Sequence, residues 1–282
     1  MLEVILLIVL GLAWLLLATV QDLKKTEIYN WGSFSLIIFA IAIRFFYGVF
    51  SEDFRLLYQG LLWFGIFFLF SNFLYYLRFF AGGDQKLLMA LGAILPLYGD
   101  FSSNLKISII FVGVFFFTGL IYTLLWVGAI GFKNFSKLKK ELRKQFKKYR
   151  KHLIFMVLLS TIFLIAGFYE SIFFWIGVFV FGISYLILYV VSVDESCMVG
   201  DELTASLEEG DLLYKKVKIN GVEINPSWAG LSKRQIRLLK KNRKKVKIRR
   251  GIPYVPVFLI SFLIFVFFFF TGVFDNIFSF LF

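Results

Sequence analysis

The chain has 282 residues, 60% of them hydrophobic and 21% aromatic, against roughly 45–50% apolar content in an ordinary soluble domain. Its formal net charge is +13, and it holds one cysteine, Cys197, and one histidine, His152. That excludes an intramolecular disulfide and a Cys-rich zinc centre, argues against a histidine metal centre or a Ser-His dyad, and implies neither metal nor cofactor. Chemistry is left to carboxylates, hydroxyls, amines and backbone.

The first apolar run covers Leu2–Val20. Its start is acidic, at Glu3, and its basic residues Lys24 and Lys25 follow the run. A secretory signal has the opposite polarity and a small-residue cleavage site, so the expectation is an uncleaved first helix with its N-terminus outside. Further runs lie at Trp31–Val49, Leu56–Phe80, Ile107–Ile130, Leu153–Tyr169, Ile172–Val193 and Tyr254–Phe274. Each is long enough to cross a bilayer.

The run Leu87–Tyr98 is short, and charge decides its reading. Ten Lys/Arg fall between Ile130 and Leu153, and loops of that kind stay cytoplasmic. If Leu87–Tyr98 crosses, this loop shares a side with Lys24, Lys25, Arg78, Lys86 and the basic segment 195–253. Arg44, Arg55 and Lys106 are then left outside, with Glu3. The expected fold is an all-α polytopic membrane protein of about eight transmembrane helices, both termini outside, with a small α+β cytoplasmic domain before the last helix.

The boundaries expected are a membrane domain of five helices at 1–132 and a basic amphipathic cytoplasmic segment at 133–152. Helices six and seven follow at 153–194, the soluble domain at 195–252 and the last helix at 253–282. In the amphipathic segment Phe135, Leu138, Leu142, Phe146 and Tyr149 recur at helical spacing beside a cationic face, as in an interfacial helix held by anionic lipid, with a substrate-docking surface as the alternative. In the soluble domain "KVKINGVEI" places Asn220-Gly221 between alternating apolar residues, a type I′ hairpin signal. Ser232 with Gln235 three residues on forms a capping box. "KVKIRRGIP" reads as a further strand.

Two carboxylates stand apart from the others. Asp22 ends the first helix, and Asp84, in "AGGDQKLLMALGA", begins the fourth; both fall on the cytoplasmic side of this topology. Singly, Asp22 reads as a solvated boundary residue and Asp84 as a helix N-cap. Together they suit acid–base chemistry on an amide: two adjacent carboxylates share a proton, one takes a proton from water and the other donates to the carbonyl oxygen. Gly82 and Gly83 leave room for an extended backbone to approach. Asp53, Asp100 and Asp275 fall on the far side, and Glu141 lies among lysines. Asp201, Glu208, Glu209 and Asp211 belong to the soluble domain.

The segment "GGDQKLLMALGA" resembles the second catalytic motif of type IV prepilin peptidases, the GxGD membrane aspartyl proteases. "QDLKKTEIYN" resembles their first, and "LEEGDLL" and "GIPYVPVFLISFL" resemble the C-terminal part of the archaeal branch, which includes preflagellin peptidases. The resemblance implies an aspartic-type endopeptidase in the plasma membrane that cleaves short basic leaders from prepilin or preflagellin precursors at the cytoplasmic face. It implies Asp22 and Asp84 as catalytic residues, with Lys86 and Asn30 near the substrate. Ala81 stands where the motif has its first glycine, and Tyr29 where a proline precedes Asn30. Members that also N-methylate pilins carry paired CxxC motifs; with Cys197 alone, no methyl transfer is implied.

The alternative reading is a non-enzymatic transporter or assembly scaffold, with the aspartates as ion ligands or caps. Transporters place such groups near the bilayer midplane, often in related repeats; both aspartates fall at helix ends, and no repeat is visible. Nucleic acid is not an expected partner, because topology already accounts for the positive charge. The partners expected are precursor proteins and membrane lipid, with the oligomeric state left open.

Overall fold

The computed structural model describes residues 2–25, 29–219, 222–228, 230–242 and 245–274. Ten α-helices run through them: α1 (Leu2–Lys25), α2 (Asn30–Ser51), α3 (Arg55–Tyr76), α4 (Gly82–Gly92), α5 (Phe101–Lys133), α6 (Phe135–Lys148), α7 (Arg150–Ala166), α8 (Ser171–Val193), α9 (Lys233–Asn242) and α10 (Val255–Thr271). Between α8 and α9 lie β1 (Val199–Leu203), β2 (Leu212–Leu213), β3 (Val217–Ile219) and β4 (Val222–Ile224), and β5 (Lys245–Arg249) follows α9.

Among the described residues five helices are long and apolar enough to cross a membrane: α1, α2, α3, α5, and α8 with the π-helical turn that follows it. The bent pair α6 and α7, which turn by 77°, brings the number to six if counted as one span. The expected count of eight would also need α4, with 11 residues, α10, with 17, and α7 alone as a span. Large apolar side chains lie exposed along the long helices, among them Leu17, Ile38, Leu69 and Phe117. Such surface is untenable in water and natural against lipid, so the protein is a multi-pass membrane protein.

The chain divides into two compact units, residues 1–123 with 252–282, and residues 124–251. In the first, α4 sits at the centre: every residue from Leu87 to Gly92 is buried. The core around it joins Leu7 and Leu15 of α1, Leu36 of α2, Trp63 and Phe67 of α3, Phe111 and Phe115 of α5, and Phe258, Phe262 and Phe265 of α10. Glycines set the closest approaches. A Cβ on Gly11 would meet the Phe262 ring at 3.0 Å, and one on Gly92 would collide with Phe67.

An 11-residue helix is about 16 Å long, short of the ~30 Å hydrocarbon core. Beyond α4 the backbone runs irregularly through residues 93–100 before α5 begins, and Ala93, Ile94, Leu95 and Leu97 of this stretch are buried. Arg44, expected outside, is buried here with Glu3; their closest atoms, Nη1 and Oε1, are 3.7 Å apart. Irregular buried backbone needs hydrogen-bond partners. Arg44 provides them, which is why it is drawn inward.

In the second unit α7 and α8 pack closely, with the Ser160 hydroxyl donating to the Gly177 carbonyl at 3.0 Å. α6 is a separate basic helix with Leu138 and Gln145 buried. The small sheet region orders its strands β1-β5-β2, all antiparallel, and β3 pairs with β4 in a separate hairpin through Val217↔Ile224 and Ile219↔Val222. The expected hairpin and last strand are therefore present, while the Asn220-Gly221 turn lies outside the described residues. The capping box also forms. The Ser232 N–H donates to Gln235 Oε1 at 2.9 Å, and the Gln235 N–H to Ser232 Oγ at 3.4 Å.

Candidate active site

α1 carries Asp22 in its last turn, and the side chain is buried, at 5% exposure. Its Oδ2 accepts the backbone N–H of Val255 at 2.9 Å. Val255 is the first residue of α10, so the carboxylate stops the N-terminus of a helix more than two hundred residues away in sequence. The free N–H groups and partial positive charge of a helix start favour an anion there. Asp22 is thus a buried tertiary cap, and the solvated-boundary reading does not hold.

Asp84 is half-buried in the first turn of α4. Ala81 occupies the N-cap position, with φ −72° and ψ 163°, and Asp84 sits three residues on. Its carboxylate accepts the backbone N–H of Ala81, the reach-back half of a capping box. Asp84 therefore supports the helix start from the third position, a correction to the N-cap expectation. Extended backbone at Ala81 is open to any residue, so the missing glycine leaves no strain at that position. Tyr29 likewise holds φ −67° at the start of α2, near the value a proline ring imposes.

The two carboxylates are close enough to interact electrostatically. Two tyrosines complete the cluster. Tyr122 of α5 lies within electrostatic reach of Asp22, and its hydroxyl donates to the Pro253 carbonyl at 2.9 Å. Tyr254 lies within reach of Asp84 and packs on Phe80, Phe115 and Phe258 with centroids 6.1–6.3 Å away. A Cβ on Gly119 would collide with the Tyr254 hydroxyl, so glycine there makes the space this ring occupies. No local pattern in the sequence gives Tyr122, Gly119, Tyr254 or Val255 a place beside the aspartates. The prolines of "GIPYVPV" were the available signal, marking an irregular entry to α10.

The remaining expected residues gather nearby. Asn30 begins α2, and its Oδ1 accepts the Lys86 ammonium at 2.6 Å, joining α2 to α4. Gly82 begins α4, and a Cβ there would meet nothing within 4 Å. Gly83 follows it in the same turn. Gln85 donates to Asn72 Oδ1 at 2.9 Å, holding α4 to α3. No group of three or more His, Cys, Asp or Glu able to hold a metal ion occurs among the described residues.

Residues 9–132, which include both aspartates, match the sequence profile of the type IV leader peptidase family. The preflagellin peptidase of Methanocaldococcus jannaschii is 34% identical to this chain over 90 residues, which are 32% of this chain and 38% of that protein. The match thus spans well under half of the relative's length. No solved structure matches the chain. The matched segment coincides with most of the first unit up to α5. The contacts from Pro253, Tyr254 and Val255 lie beyond it.

Proposed function

We propose that the protein is a membrane aspartyl endopeptidase that removes short basic leaders from prepilin- or preflagellin-type precursors at the cytoplasmic face of the plasma membrane. Asp22 and Asp84 are the catalytic pair. The observation that supports this reading is that two carboxylates, from the end of α1 and the start of α4, come within electrostatic range of each other, inside the segment that matches the leader peptidase profile.

The pair holds one shared proton, because two like charges at close range resist joint ionisation. The ionised member takes a proton from water as the oxygen attacks the scissile carbonyl carbon. The protonated member gives its proton to the carbonyl oxygen. Collapse of the tetrahedral intermediate breaks the C–N bond, and the amine leaves with a proton returned from the pair. The apparent pKa values belong to the pair and not to either residue. The open flank of Gly82 admits an extended substrate backbone, beside Gly83. Lys86 and Asn30 border the same approach.

In this reading α4 with its irregular extension, α7 and α10 join the five long helices to give eight crossings, with both termini outside. α6 lies along the headgroups with its lysines on anionic lipid. The test is co-expression of a precursor with the wild type, Asp22→Asn or Asp84→Asn, reading precursor size on a gel. Wild-type cleavage with both variants inactive is the expected result. Normal processing by either variant refutes the dyad. Substrate flux in proteoliposomes with no cleavage of any precursor would favour the transporter alternative.

A further inference from the structure

We infer that Arg44 is a positioning residue for the Asp84 carboxylate, acting from the opposite end of α4. This rests on the peptidase reading above.

The Arg44 guanidinium is fully buried and donates to four carbonyls. Nε reaches Ala93 O at 3.0 Å, Nη1 reaches Leu56 O at 3.0 Å, and Nη2 reaches Ile94 O at 3.2 Å and Pro96 O at 2.6 Å. Three of these acceptors lie where α4 ends and the irregular stretch begins; the fourth lies at the start of α3. A planar guanidinium has five N–H donors in a fixed fork, so this one group fixes the C-terminal end of α4 against α3. Gly60 makes the position possible. A Cβ there would stand 2.5 Å from Arg44 Cδ and 2.7 Å from Nε. Asn104 holds the next part of the stretch, accepting the Tyr98 N–H at 3.1 Å and donating to the Tyr98 carbonyl at 2.8 Å.

From Ala93 to Asp84 the helix rises about 14 Å at the usual rise per residue. A tilt of about 4° at the clamped end therefore moves Asp84 by about 1 Å by the same geometry. A displacement of about 1 Å can cost on the order of 100-fold in rate. Arg44 touches neither carboxylate, so its effect falls on kcat and leaves KM near the wild-type value.

The test compares Arg44→Met, Gly60→Ala and the double variant Glu3→Gln/Arg44→Met with the wild type, as full chains in detergent. kcat and KM are normalised to monodisperse protein, and Tm is recorded. Arg44→Met strands a buried Glu3 and loses stability. The double variant removes both charges, and such neutral replacements commonly restore stability. The expected result is a double variant with recovered Tm and a kcat still at least tenfold down. Gly60→Ala, which keeps both charges, shows a several-fold kcat loss at unchanged KM. Recovery of kcat together with Tm in the double variant assigns Arg44 a purely structural role and overturns the inference. Wild-type kcat in Gly60→Ala overturns it as well, whether or not the Arg44 variants fold. A wild type that leaves the precursor intact overturns the peptidase reading, and this inference with it.

Discussion

Asp22 has two roles that one pair of substitutions separates. Its carboxylate is an acceptor for the buried Val255 N–H at the start of α10 and, in the proposed mechanism, one half of the catalytic pair. Asp22→Asn keeps an oxygen acceptor at the same place and removes the charge. Asp22→Ala removes both and leaves the Val255 donor without its partner. A buried donor left unsatisfied costs about 1–3 kcal/mol, equivalent to roughly 2–12 °C in Tm if each kcal/mol is worth ~2–4 °C, as in a domain of comparable size. Both variants should lose precursor cleavage by at least 100-fold, since general acid–base catalysis alone contributes about 10²–10⁴. Only Asp22→Ala should show the full drop in Tm, read by thermal unfolding of detergent-purified protein. Equal Tm values for the two variants refute the cap, and cleavage at the wild-type rate by Asp22→Asn refutes the chemistry.

Two further substitutions test particular contacts. Gly119→Ala should destabilise by about 1–3 kcal/mol, the usual cost of overpacking, because the added methyl meets the Tyr254 hydroxyl. Combining it with Tyr254→Phe should recover part of the lost Tm, and no recovery would show that the hydroxyl is not the obstacle. Ser232→Ala should cost about 1 kcal/mol by opening the capping box of α9. It should appear as faster trypsin cleavage within residues 233–242, and an unchanged rate would mean that the cap contributes nothing there.

The membrane character, the long helices and the elements of the small sheet region were legible because each depends on local patterning. A run of twenty apolar residues, an alternating strand or a Ser–Gln capping pair carries its own signal along the chain. The pairing of β3 with β4 follows from that local signal. Helix count was less legible at α4, α7 and α10. Their lengths fall near or below a bilayer's thickness, and length alone does not say which short helices cross.

Asp22 and Asp84 were identifiable as candidates because carboxylates beside apolar runs are costly, and because the residues around them resemble two family motifs. Their surroundings were not identifiable in the same way. That Asp22 caps α10, that Tyr122 and Tyr254 flank the pair, and that Arg44 turns inward to hold the end of α4 all depend on contacts between segments far apart in sequence. Arg44 and Glu3 show the difference most plainly. By charge alone each belongs in water at the end of an apolar run, and nothing adjacent in sequence suggests otherwise. The irregular backbone after α4 presents carbonyls that neither helix geometry nor lipid can satisfy. Only the folded arrangement brings an arginine, its counter-charge and the space at Gly60 to the same point.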